Sequence, residues 1–307
     1  KSDALFAPRA SAVLDVFGDA SAKAYVYFGR YFNPIIGVGI RNMGSTKTTG
    51  TLSEALVLGT WVTTTIMPTE NPAGAVYADG TQMPHTDEFR LGYDHILKSG
   101  EVTNTFSVAY THREDKKIVQ SLGAYFYADP DALEFAGASY FGGNPEAAAA
   151  FRDLAFPIDA FAGGGASGPE NLMNFNAVFM NMPSAKRTFQ SIDLTYKAET
   201  DRALFLFSFS RVRAQGSSMQ FGEITYSTID PIADPRLPYM RGYIDGSLDW
   251  SAKIYGSYNF TNNFTIGVLA NADSGFHYTP SRVTSGTLLP DIPMDWEAAK
   301  MFRLGQK

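Results

Sequence analysis

The chain has 307 residues, a formal net charge of −6, 18 % charged and 14 % aromatic residues, 28 glycines and no cysteine. The lack of cysteine excludes disulfides and thiolate metal sites, the mild acidity argues against nucleic acid as a partner, and no apolar run is long enough for a membrane helix. Many aromatics and glycines, few charges and no apolar helix fit a membrane β-barrel, whose apolar residues are diluted by alternation, and also some soluble all-β proteins.

In chain order, the first pattern is a hairpin. Residues 9–17 (RASAVLDVF) place Ala12, Leu14 and Val16 on one side, then turn at 18–21. Residues 22–32 (AKAYVYFGRYF) place Ala24, Val26 and Phe28 against Lys23, Tyr25 and Tyr27. Period-two alternation puts successive side chains on opposite faces of a strand. The next connection, 33–84, is long, but the stretch 51–67 is β-prone and predicts further strand.

The clearest unit is 87–113. Phe89, Leu91, Tyr93 and Leu97 alternate with Glu88, Arg90, Gly92, Asp94 and Lys98. After Lys98-Ser99-Gly100-Glu101, Val102, Phe106, Val108 and Tyr110 alternate with Thr103, Thr105, Ser107 and Thr111. Ile96 and Asn104 break the pattern. A short polar turn with a glycine between alternating arms predicts a β-hairpin, and each arm is about as long as a tilted bilayer-crossing strand. Full charges at mid-strand on the polar face suit a wet lumen.

Two more hairpins follow, 187–213 turning at 199–202, and 247–274 turning at 259–263. In the first, Ile192, Leu194 and Tyr196 oppose Ser191, Asp193, Thr195 and Lys197, and Phe205, Phe207 and Phe209 oppose Leu206, Ser208 and Ser210. In the second, Leu248, Trp250, Ala252 and Ile254 oppose Asp249, Ser251 and Lys253. Tight turns near 20, 99, 200 and 261 thus alternate with long connections at 33–84, 114–186 and 214–246. That is the layout of an all-β transmembrane antiparallel barrel with long extracellular loops.

The 114–186 loop carries a predicted short helix from about 145 to 154, capped by Asn144 with Pro145 in the first turn. Its aromatics, among them Phe135, Phe141, Phe151 and Phe156, are expected to pack loop on loop, or against a protein partner. Gly163–Gly168 reads as a flexible linker, and Asp295 as the cap of a tail helix ending near Leu304.

No catalytic, cofactor-binding or metal residue set emerges, and no cofactor is expected. His85, His95, His112 and His277 have no ligand spacing among themselves. His95 and His112 read as structural or girdle residues. Gly37-Val38-Gly39 with Gly44 misses dinucleotide spacing. Asp129-Pro130-Asp131 and Glu114-Asp115 are weighed as a calcium site and read as solvated acids. Asn259 and Asn263 stand in glycosylation-acceptor triplets at a tight turn.

Ala7-Pro8-Arg9-Ala10 through Asp15-Val16-Phe17-Gly18-Asp19, then Tyr25-Val26-Tyr27-Phe28-Gly29-Arg30-Tyr31-Phe32-Asn33-Pro34-Ile35, resembles the barrel of TonB-dependent outer-membrane receptors, nearest the Oar-like group with its "PR-x-G-F-x-x-D" and "Y-G-R-F-Y-x-P-I" patterns. Tyr110-Thr111-His112-Arg113 is similar to that group's "Y-x-H-R" strand end. Tyr255-Gly256-Ser257-Tyr258, with Ser274-Gly275-Phe276-His277-Tyr278-Thr279-Pro280, is similar to its "Y-G-S-Y … S-G-x-P-Y" stretch. Ser11-Ala12-Val13 departs from the Gly-Phe expected there, and Phe276-His277-Tyr278 departs from Pro-Tyr. The resemblance implies a 22-stranded barrel with an N-terminal plug, energised through TonB, lying in the cell outer membrane among its lipids. Neither plug, TonB box nor closing strand is recognised here, so 1–307 is expected to be a partial barrel domain contributing about eight to ten strands. The implied role is transport of a bulky substrate, with no enzyme activity. A structural outer-membrane scaffold that binds a partner through its loops is the alternative, and a soluble adhesin built of β-sandwiches is a third reading.

Overall fold

The computed structural model describes residues 5–32, 49–57, 60–69, 73–78, 80–123, 127–156, 175–217, 231–244, 246–261, 264–277, 281–284 and 287–290. Its strands in chain order are β1 (Arg9–Asp15), β2 (Ala22–Phe32), β3 (Thr49–Val57), β4 (Thr60–Thr69), β5 (Ala73–Tyr77), β6 (His85–Ser99), β7 (Val102–Lys116) and β8 (Val119–Leu122). Helices α1 (Pro130–Tyr140) and α2 (Pro145–Arg152) follow. Then come β9 (Phe175–Asn181), β10 (Arg187–Glu199), β11 (Ala203–Gly216), β12 (Gly242–Tyr243), β13 (Trp250–Thr261), β14 (Phe264–Asp273), β15 (Ser281–Thr284) and β16 (Thr287–Pro290).

One large antiparallel sheet organises the chain, in the order β1-β2-β6-β7-β10-β11-β13-β14, with β12 added beside β11. All four hairpins read from the sequence are in it. β6 and β7 pair from His85↔Lys116 to Ser99↔Val102, so Gly100 and Glu101 alone make the turn. Gly100 has φ +60 and Glu101 is not left-handed, which is why glycine stands first in this two-residue loop. In the first hairpin the Asp15 carboxylate accepts from the Gly18 and Ala20 amides and pins the turn. In the third, Thr200 Oγ1 accepts from the Ala203 amide at 2.9 Å. The last hairpin is tighter than expected, because β13 runs on to Thr261 past a register shift at Asn259–Thr261. Among the described residues the sheet is open, with β1 and β14 as its edges.

In the β-prone stretch 51–67 the described residues are strand, divided between β3 and β4, which among the described residues pair with each other alone. β5, β9 and β8 form a small separate sheet in which β5 runs parallel to β9.

The apolar core lies in the connections and not in the large sheet. Leu122, Tyr127, Leu133, Phe141, Ala147, Phe151, Leu154, Val178 and Met182, from between β7 and β10, pack with Leu237, Tyr239 and Met240 from between β11 and β13, and with Ala78. Loop-on-loop packing is therefore what most of these aromatics do. Among the described ones Phe135 is the exception, 76 % exposed on α1.

Both helices start by the same local device. Asn144 Oδ1 accepts from the Glu146 and Ala147 amides, with Pro145 filling the first position. Asp129 Oδ1 does the same for Asp131 and Ala132, with Pro130 following. Asp129-Pro130-Asp131 is thus a helix start and not plain loop, and its Asp131 stays open to solvent, as read from the sequence. Asn144→Ala is expected to lower the module's stability by about 1 kcal/mol. Faster amide exchange at Glu146 and Ala147 would report it. The helices touch at Gly137, where an added Cβ would lie 2.7 Å from Phe151 Cβ and 2.8 Å from the Ala147 carbonyl.

The linker at Gly163–Gly168, the Gly37–Gly44 loop, Asn263 and the Asp295–Leu304 helix lie outside the described residues.

Candidate functional site

Register fixes which side chains share a face, because directly paired residues in an antiparallel sheet point the same way. Following the pairs from Ala24↔Tyr93 and Val26↔Leu91 through Tyr93↔Val108, Val108↔Leu194, Leu194↔Phe209 and Phe209↔Ala252 traces one continuous face. It carries Leu14, Val26, Phe28, Phe89, Leu91, Phe106, Val108, Ile192, Leu194, Phe205, Ile254, Ile266 and Val268, all of them large, apolar and exposed. Folded soluble chains rarely leave so much apolar surface contiguous.

The opposite face is polar and cross-linked. Lys23 pairs with Asp94 at 3.1 Å and Arg113 with Glu88. Asp193 accepts from Ser191 at 2.9 Å and Ser210 at 2.6 Å. Aromatic plates lie over glycines here. A Cβ on Gly92 would come 2.2 Å from the Tyr25 ring directly across from it, and one on Gly29 would strike Tyr27, which is hydrogen-bonded to Tyr31. Gly92→Ala should therefore displace Tyr25 and cost about 1–3 kcal/mol by overpacking. Adding Tyr25→Ala should recover part of that loss in a urea titration, a coupling expected only for groups in contact.

The two exceptions to alternation behave differently. Asn104 sits on the apolar face at the turn end, where its Oδ1 accepts from Tyr196 Oη at 2.8 Å. Ile96 sits on the polar face and stays 40 % exposed.

At the end of the sheet away from the short turns, the apolar face becomes ionic. Arg30 grips Asp87 through Nε and Nη2 at 2.7 and 2.9 Å. Lys116 lies 3.3 Å from Asp87 and 3.2 Å from Glu114, and Lys186 lies 2.8 Å from Glu114. These residues stand beyond Phe89 and Tyr110, where the apolar stretch ends. Arg30 first, and Lys116 with it, hold the Asp87 carboxyl down at about 2. The chain of charges thus runs across β2, β6 and β7 to the start of β10. Of the two acids weighed as calcium ligands, Glu114 is placed in it, whereas Asp115 has the opposite parity and accepts from Thr86 Oγ1 at 2.7 Å on the polar face.

The loop module is tied together by a buried carboxylate. Asp234, fully buried, accepts from Tyr127 Oη at 3.0 Å and from Arg236 through N, Nε and Nη2 at 2.8–3.0 Å. Arg236 Nη2 also donates to the Leu154 carbonyl at 2.7 Å, and its guanidinium lies 4.3 Å over the Phe156 ring.

The four histidines are scattered. His95 stands on the apolar face near the first turn, 5.7 Å from the Phe17 ring, with Tyr93 Oη at 3.1 Å. His112 stands on the same face at the other end, beside Gln190, and His85 lies against Phe32. His277 is buried, stacked on Tyr243 at 4.1 Å and 3.1 Å from Asp249. Asn259, the first of the two acceptor asparagines, lies in β13 and accepts from Thr265 at 2.7 Å. Among the described residues no three His, Cys, Asp or Glu side chains converge as metal ligands. Also among them, no helix is long and apolar enough to cross a membrane, which says nothing of strands.

Two hollows open on the apolar side of the sheet. One, of about 370 Å³, lies near the short turns over Gly256, between Phe205, Tyr258 and Val268. The other, of about 430 Å³, lies at the loop end and is lined by Lys186, Thr188, Arg213, Gln215, Arg241 and Tyr243 among others.

No protein-family model matches the sequence, and no curated protein matches it. Among solved structures, the outer membrane transporter YddB from Escherichia coli superposes with a TM-score of 0.46 at 9 % identity, over 90 % of this chain and 29 % of that one. This chain therefore spans less than a third of the length of that transporter.

Proposed function

We propose that this chain is part of the wall of an outer-membrane β-barrel of the TonB-dependent transporter type, a large barrel of about 22 strands that moves a bulky substrate. The reading rests chiefly on the continuous exposed apolar face opposite a hydrated, ion-paired one. Lipid is the solvent that stabilises such a surface, since the strands between the β1 and β14 edges pair on both sides and present only side chains. On β6 the apolar stretch from Phe89 to Leu97 is about 27 Å of strand, or on the order of 20 Å of height at a barrel's tilt, close to a membrane belt. The ionic chain at Asp87 then stands at headgroup level, and the loop module lies on the outer side. The sequence motifs around Tyr25–Ile35 and Tyr110–Arg113 favour the TonB-dependent, Oar-like group within this class. In this reading the protein is a carrier and not an enzyme, with outer-membrane lipid and the TonB system as its partners.

The test is made on the full-length protein in its own cells. It should fractionate with the outer membrane and migrate faster on a gel before boiling than after. The transport defect of a strain lacking it should be reproduced by a strain lacking TonB. Recovery in the soluble fraction would refute the barrel, and a defect indifferent to TonB would refute the transporter class.

A structural reading comes second. It draws on Phe135, which is exposed where the loop's other described aromatics are buried or partly buried, and which offers a foothold to a surface partner. Under it, Phe135→Ser would disrupt a surface assembly and leave transport unchanged.

A further inference from the structure

We infer that the basic hollow at the loop end of β10 and β11 is a binding site for the phosphate headgroup of a membrane lipid, seated from the lipid side. The inference rests on the barrel reading.

Placement is the first argument. Thr188, Arg213 and Gln215 share the parity of Leu194 and Phe209, because Gln190↔Arg213 and Thr188↔Gln215 continue the pairs that define the apolar face. Tyr243 joins the same face through Gln215↔Tyr243. The hollow therefore opens on the wall that meets acyl chains, four to six residues beyond Phe209, the last apolar side chain of β11 on that face. A molecule whose charged end fills the hollow has its apolar end directed along Leu194, Phe207 and Phe209.

Charge is the second argument. Arg213 and Arg241 are exposed, and among the described residues neither has a carboxylate partner. Arg211, at the same edge, is likewise exposed. The carboxylate facing this group, Glu114, is already held by Lys116 and Lys186. The neighbouring rim around Asp87 satisfies its charges internally, whereas Arg211, Arg213 and Arg241 gather here with no carboxylate partner among the described residues. Two guanidinium groups with Lys186, Thr188 and Tyr243 offer forked and single donors to a tetrahedral oxyanion, and guanidinium forks match phosphate oxygens. A carrier's cargo would meet the other face of the sheet, so this hollow is separate from a transport route.

The experiment uses the full-length protein reconstituted in phosphatidylcholine nanodiscs with and without phosphatidic acid, and compares wild type with Arg213→Gln/Arg241→Gln. Lys98→Gln/Arg202→Gln, two exposed cations at the opposite end, is the matched control. Lipid retained through gentle detergent extraction is counted by native mass spectrometry. Wild type and control should retain phosphatidic acid over phosphatidylcholine, and the Arg213/Arg241 variant should lose that preference by roughly tenfold or more, the loss of one to two charge-assisted contacts. Inorganic phosphate should not displace the lipid. Equal retention by all three proteins would overturn the site, and displacement by inorganic phosphate alone would overturn its assignment to a lipid. Heat-dependent migration is recorded on every sample. A folded barrel without lipid preference sinks this inference alone, while a chain that never forms a barrel sinks the reading beneath it.

Discussion

Asp234→Ala should be the most damaging substitution in the loop module, lowering its stability by about 3–5 kcal/mol. The carboxylate is fully buried and takes hydrogen bonds from Tyr127 and Arg236. Its loss leaves the Arg236 guanidinium, most of it out of water, with one carbonyl and two aromatic rings for company. It also removes the Tyr127 hydrogen bond that links two connections across 107 positions of sequence. The large sheet should be spared, because it shares no core with the module. Limited proteolysis would separate the two: cleavage within 127–156 and 231–244 should accelerate while the heat-dependent gel shift persists. The apolar triple replacement Tyr127→Phe/Asp234→Leu/Arg236→Met should be much less harmful than Asp234→Ala alone, since no charge is then stranded. Equal harm would mean that packing volume, and not the charge network, holds the loops together.

The large sheet was legible in the sequence because its rule is local. Alternation at Phe89, Leu91, Tyr93 or at Phe205, Phe207, Phe209 needs only a window of a few residues, and each tight turn carries its own polar or glycine signal. The loop module obeys no such rule. The Asn144-Pro145 start was readable, and Asp129-Pro130 is the same device; acidic residues on both sides of that proline made it resemble a solvated acidic loop instead. What no local pattern could give is the partnership of Asp234 with Tyr127, or of Phe141 with Tyr239, whose rings lie 6.0 Å apart. The ionic rim was hidden differently. Arg30, Asp87, Glu114 and Lys116 each look like ordinary polar strand ends, and only the register aligns them into one chain. The basic hollow needs three separate segments, and one of them, at Arg241, lies in a connection with no strand signal at all.

Val108→Arg and Phe207→Arg test the face assignment on which the functional reading depends. Both positions lie mid-way along the apolar face, Phe207 between Tyr196 and Ile254 and Val108 between Tyr93 and Leu194. Placing arginine there should cost the barrel about 2–4 kcal/mol in a bilayer, because a charge at mid-membrane either leaves water or distorts the lipid to keep it. Ser107 supplies the comparison. It is one residue away on the opposite face, across from Asp94. Ser107→Arg should cost less than about 1 kcal/mol, since a hydrated, oppositely charged neighbour receives it. Asp193→Asn, on that same face, should be similarly mild, as the amide oxygen keeps one serine donor and the other hydroxyl can turn to accept from the amide nitrogen. The measurement is urea unfolding of the refolded protein in lipid, read by the gel shift and by tryptophan fluorescence. A penalty for Val108→Arg that persists undiminished in lipid-free, detergent-poor buffer, or one matched by Ser107→Arg, would mean that the exposed apolar face is not the one that meets the membrane.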